Sequence, residues 1–89
     1  MGKYGRMRRA FLQENNPMLL NDLILSEQLF PHLQEIDETA HRRVEQLMTE
    51  LLEKNPAPDK ATQQMAWVKH MNSLKAQAEE IVTAELINS

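Results

Sequence analysis

Apolar residues recur along most of this chain at spacings of three and four, the repeat of an amphipathic helix and not the alternation of a strand. The longest stripe is Leu33, Ile36, Ala40, Val44, Leu47, Met48, Leu51 and Leu52, with Glu38, Arg42, Glu45, Thr49 and Glu53 on the opposite face. It predicts one helix over about 31–54. Pro31 is suited to its first position, and Glu38–Arg42 and Glu50–Lys54 are spaced to pair on its surface. A second stripe of Met65, Val68, Met71, Leu74, Ala78, Ile81 and Val82 predicts a helix over about 62–87, with Asp59 or Thr62 as its cap. Residues 55–61, which contain Pro56 and Pro58, separate the two. At 1.5 Å per residue each helix is roughly 36–39 Å long, so the short break predicts an antiparallel hairpin.

Two shorter helices precede it. The first spans about 4–14, and Asn16-Pro17 reads as cap and first residue of another over about 17–25. In that second segment six of eight residues are large and apolar: Met18, Leu19, Leu20, Leu23, Ile24 and Leu25. A helix apolar nearly all round calls for cover on several sides, which predicts that it forms the centre of the fold. Both short helices would pack across one end of the hairpin, since neither is long enough to persist alone. Only Gly2 and Gly5 are glycines, too few for an array of tight β-turns. Residues 1–89 therefore read as one all-α domain, a small helical bundle with no internal repeat.

Composition narrows the function. The 89 residues are 26% charged and 42% hydrophobic, with no cysteine, which excludes disulfides, thiolate chemistry and the common zinc frameworks. No apolar run approaches the roughly 20 residues of a membrane span, which predicts a cytoplasmic protein without a membrane partner. The net charge of −3 is unevenly spread. Residues 1–13 carry Lys3, Arg6, Arg8 and Arg9 and no acid, while the remaining 76 residues hold six bases and 13 acids. This basic segment suits contact with nucleic-acid phosphates, with Tyr4 available for stacking on a base. A solvated face that pairs with the acidic body has the same sequence pattern. The helix over 17–25 has no base and one acid, so it cannot serve as the recognition helix of a helix-turn-helix.

Other chemistry is sparse. Glu38 and His41 have the Glu-x-x-His spacing of helical di-iron sites, but Trp67 stands where a second such motif would need Glu before His70. His32 with Glu35, and the acidic runs at 35–38 and 79–80, read as surface residues. No glycine follows position 5 to cradle a phosphate, and no hydroxyl residue sits in a nucleophile elbow. The sequence thus predicts no catalytic, cofactor or metal site and no enzyme. Trp67 is the one tryptophan, a candidate either for plugging the core end or for anchoring an interface.

Several blocks carry a family likeness. Lys3-Tyr4-Gly5-Arg6-Met7-Arg8-Arg9, Leu29-Phe30-Pro31-His32-Leu33-Gln34-Glu35-Ile36-Asp37, Trp67-Val68 with Met71-Asn72, and Lys75-Ala76-Gln77-Ala78-Glu79-Glu80-Ile81 with Ala84-Glu85-Leu86 resemble the TnpV family. These are small proteins encoded on bacterial transposons and integrative elements. The resemblance covers essentially the whole chain. It is most specific at Tyr-Gly-Arg-Met-Arg and Lys-Ala-Gln-Ala-Glu-Glu, and weakest over 55–64. It implies an accessory role on a mobile element; the partners expected for the chain are another protein, a second copy or the element's DNA. The leading expectation is a non-catalytic helical module acting by protein–protein interaction or self-association. The alternative is a nucleic-acid-binding factor using Lys3, Tyr4, Arg6, Arg8 and Arg9.

Overall fold

The computed structural model describes residues 2–88. Four α-helices follow in order, α1 (Lys3–Asn15), α2 (Pro17–Leu25), α3 (Leu29–Lys54) and α4 (Gln64–Val82), and a π-helical turn, Thr83–Ile87, continues the last. Among the described residues there is no strand, so the all-α expectation and the long antiparallel hairpin hold. No helix is long and apolar enough to cross a membrane among the described residues.

The α3 stripe packs as the pattern predicts. Leu33, Ala40, Val44 and Leu47 are buried, and Ile36, Met48 and Leu51 are half-buried against them. From α4 come Leu74, Ala78 and Val82. Ala40 and Ala78 have no exposed area at all, and side chains this small let the two helices approach closely. The π-turn shifts the α4 stripe by one residue, so that Ile87 follows Val82 into the core after a step of five. Glu85 is left on the outside, where it pairs with Arg43 at 3.3 Å.

Four expectations need correction at this level. The long helix begins at Leu29, which puts Pro31 within its first turn. The fourth begins at Gln64, because the Asp59 side chain accepts from the Ala61 amide in a turn ahead of it and caps no helix. Met65 is 71% exposed and Val68 and Ile81 are also outside, leaving Leu74, Ala78 and Val82 as the buried seam. Glu38 accepts instead from Gln34, and Arg42 donates to Thr39, so the surface pair expected between them is not formed.

The largest difference concerns the two short helices, whose roles are exchanged. The basic first helix, α1, lies in the core with Tyr4, Gly5, Arg8 and Leu12 buried, whereas α2 contributes no buried residue. α1 runs antiparallel to α3, with Tyr4 opposite Asp37 and His41 and Arg8 opposite His32. It thereby covers one half of the hairpin as a third helix, and the assembly is a rod of 54 × 20 × 19 Å.

α2 is nevertheless held in a fixed pose. The Asn16 side chain accepts from the Leu19 amide, with Pro17 at the first helical position, as the sequence indicates. Its other end closes with the Glu27 amide on the Ile24 carbonyl and the Gln28 amide on the Leu23 carbonyl, the paired bonds of a Schellman motif. Glu27 takes the left-handed position there, with φ of 61°, where glycine is the favoured residue.

Candidate association surfaces

Three places on the rod combine exposed or charged groups with fixed geometry. The first is α2. Met18 is 79% and Leu25 82% exposed, and Ile24 is exposed as well. Leu19, Leu20 and Leu23 turn partly inward. Phe30, at the start of α3, adds a further 60% exposed ring beside the end of α2. Asp22 is the only charged side chain in the helix. Met18, Leu25 and Phe30 are thus more than half uncovered and Ile24 nearly half, a local concentration of exposed apolar surface.

The second is the basic segment, which the fold divides. Lys3 pairs with Glu79 on α4 at 2.7 Å, and this contact raises the pKa of its ammonium. Tyr4 is buried edge-on against the His41 ring at 4.9 Å, and burial pushes its phenol up. Arg8 is 8% exposed and donates from Nη1 to the Ile87 carbonyl at 2.9 Å. Arg6 and Arg9 are exposed and form no ion pair among the described residues. Of the five suggested nucleic-acid contacts, Tyr4 and Arg8 are thus structural, and Arg6 and Arg9 are the two that face solvent unengaged.

The third is a cleft of about 310 Å³ along α3 beside the start of α1, lined by Gly2, Phe30, Gln34, Asp37 and Glu38. Asp37 caps α1 across this boundary. Its Oδ1 accepts from the amides of Tyr4 at 2.9 Å and Gly5 at 3.1 Å, and its Oδ2 lies 3.4 Å from His41 Nε2. Helix N-termini have unpaired amides and a partial positive charge, so a carboxylate is a favourable occupant. A Cβ on Gly2 would collide with this carboxylate, which accounts for glycine there. Sequence reasoning passed over both residues, because cap and helix end are more than 30 positions apart.

His32 is the other side chain the sequence undervalues. Its Nε2 accepts from Arg8 Nε at 3.5 Å, and burial, then the nearby Arg8 charge, push its pKa below the usual 6.5, with Glu35 opposing. The fold therefore prefers neutral His32, while the unfolded chain takes up a proton near pH 6.5. That contribution to stability is complete above this pH and is lost as pH falls below it. Urea midpoints at pH 8 and pH 5 should differ in that direction, and His32→Gln should reduce the difference.

Trp67 is half-buried near the start of α4, with Lys60 Nζ 4.6 Å from its ring centroid. Beside it the His70 ring nitrogen donates to the Asn55 carbonyl at 2.7 Å, tying α4 to the end of α3. Trp67 thus has a partly covered ring and a local cationic partner.

Two comparisons return nothing: no curated protein and no solved structure matches the chain. A family model described as transposon-encoded protein TnpV matches residues 1–87.

Proposed function

The chain belongs to the TnpV family of transposon-encoded proteins, and from that premise we propose that it is a non-catalytic, cytoplasmic accessory protein of a mobile element that works by self-association through α2. The observation that carries this reading is a helix of nine mostly apolar residues, fixed at both ends by its own hydrogen bonds, with none of them buried. Ordering such a helix in water without covering it is unfavourable, and a second copy supplies an apolar surface of the same kind. With Asp22 as its single charge, α2 has little with which to select a highly charged partner. Side chains of the types that do chemistry have structural work here: Asp37 caps α1, His32 accepts from Arg8, and Tyr4 is packed inside.

Sedimentation velocity tests the reading. The wild-type chain should show a mass that rises with concentration toward twice 10.3 kDa. Met18→Glu with Leu25→Glu should hold it at the monomer mass while leaving its helical circular dichroism unchanged. A wild type that stays monomeric at high micromolar concentration would remove the proposal.

A second reading rests on Arg6 and Arg9, the exposed, unengaged cations of α1. As phosphate contacts, two arginines give a slope of log affinity against log salt of about −2 on duplex DNA. Fluorescence anisotropy over a salt series measures it, and affinity unaltered by Arg6→Ala with Arg9→Ala disposes of it.

A further inference from the structure

Two stretches of the chain hold large apolar residues and bury none of them. No residue between Leu12 and Leu33 is buried, a span that includes α2, and none between Leu47 and Leu74, a span that includes the end of α3 and the start of α4. The two stretches lie at opposite ends of the rod, because α3, with 26 residues and so roughly 39 Å long, runs from one to the other. Between them α1 lies on the α3–α4 pair, and there Ala40, Val44, Leu47, Ala78 and Val82 are buried. α1 starts beside Asp37 and Glu79, so past Leu47 the hairpin is left as two helices among the described residues. On α4 at that end, Met65, Val68, Asn72 and Lys75 follow at steps of three and four with Lys69 beside them, and all are exposed. The stripe continues to Glu79, which pairs with Lys3, so it lies on the side of the hairpin that α1 covers. Met18, Asp22 and Leu25 form the corresponding exposed stripe of α2, which Asn16 alone joins to the far end of α1.

We propose that α2 of one copy packs on the start of α4 in a second copy, with Met18 and Leu25 against Met65 and Val68, and that two antiparallel copies make this contact twice. The inference rests on the self-association read from α2, and adds the surface that receives it. The fold itself supplies the precedent: one helix laid on the α3–α4 pair is what closes the seam over its other half. Charge selects α4 as the place where α2 lands. From residue 10 to 31 the chain has Glu14, Asp22 and Glu27 and no base, while from 60 to 78 it has Lys60, Lys69 and Lys75 and no acid. The exposed Glu45, Glu50 and Glu53 keep this acidic segment off the outer side of α3. Packing α2 on α2 would set Asp22 and its acidic flanks against their own copies. Antiparallel rods bring each α2 to the other copy's α4 and join unlike charges at both ends, whereas parallel rods join like charges.

Complementation between two impaired variants tests the contact. Met18→Glu with Leu25→Glu spoils only the α2 side, and Met65→Glu with Val68→Glu only the α4 side. All four positions are exposed, so both variants should keep the helical circular dichroism of the wild type. Alone, each variant loses both contacts and should associate about a hundredfold or more less tightly than wild type. Mixed one to one, the intact α2 of the second variant meets the intact α4 of the first. A heterodimer held by that one contact should form, more weakly than the wild-type dimer. Sedimentation equilibrium and native mass spectrometry read the result. A Met65→Glu, Val68→Glu chain that dimerises like wild type, while Met18→Glu with Leu25→Glu is monomeric, would overturn this contact and leave the α2 reading standing. Two monomeric variants that stay monomeric on mixing would also overturn it. A monomeric wild type would end both.

Discussion

Replacing Arg8 with methionine is expected to lower the unfolding free energy by about 2–3 kcal/mol, although methionine fills much of the same volume. The loss comes from polar atoms left behind. Arg8 Nη1 donates to the Ile87 carbonyl at the end of the π-turn, and Nε faces His32 Nε2 on α3. One side chain thus joins α1, α3 and the C-terminal turn. Without it the Ile87 carbonyl is left in a buried setting without that donor, and the desolvation of such a group is what makes the change costly. Arg8→Lys should recover only part of the loss, since an ammonium cannot reproduce the fork of the guanidinium. For a domain of this size each kcal/mol moves the melting midpoint by about 4–8 °C, so Arg8→Met should melt roughly 8–24 °C below wild type. Both proteins must be measured at one concentration, since self-association adds stability by mass action. Faster hydrogen exchange confined to residues 83–87 should accompany the shift, and a neutral Arg8→Met would show that the guanidinium is not the tie.

This arginine also marks where sequence reading stops. The α3 seam was legible because its residues alternate with charged ones at helical spacing, and Leu33, Ala40, Val44 and Leu47 are buried as that pattern requires. The corner at Asn16-Pro17 was legible because a cap and its proline are neighbours in sequence. Tyr4, Arg8 and Leu12 stand at steps of four, the same periodicity, but the stripe is visible only to a reader who accepts an arginine as an inward residue. Arg8 is inward because a carbonyl 79 positions away receives it. The exposure of α2 was hidden for the opposite reason. Its composition says that the helix needs cover, which is correct, but composition does not say whether the cover comes from the same chain. The one-residue shift at Thr83–Ile87 leaves the apolar pattern almost unchanged while exchanging which residue points inward.

The candidate surface follows from the same exchange. With α1 inside the bundle, its basic residues no longer act as one patch: Arg8 is spent on the interior and Lys3 on Glu79, which leaves Arg6 and Arg9 exposed to solvent. Net charge over residues 1–13 could not show this division, because it depends on helix phase and on what α3 and α4 place opposite each turn. At the cleft, Gly2 leaves room for the Asp37 carboxylate that caps α1.

Removal of the Asp37 carboxylate is the second large effect, since it unfastens the opposite end of α1. Asp37→Ala is expected to lower stability by about 2–3 kcal/mol, as a helix cap contributes up to about 2 and a bond to an ionised acceptor about 1.5–3. Two amides, those of Tyr4 and Gly5, lose their acceptor at a partly buried helix start, and His41 loses a partner 3.4 Å away. Asp37→Asn retains one carbonyl oxygen that can accept from the same amides, so it should cost clearly less than Asp37→Ala. That ordering separates a hydrogen-bonding cap from a general need for negative charge, because alanine and asparagine remove the same charge. Amide exchange at Tyr4 and Gly5 should accelerate with alanine far more than with asparagine. Because Tyr4 belongs to the same buried cluster as Ala40, Val44 and Ile87, fraying at this end opens the core. If Asp37→Ala unfolds at the wild-type midpoint, α1 is held by its apolar contacts alone and the cleft wall is not set by this cap.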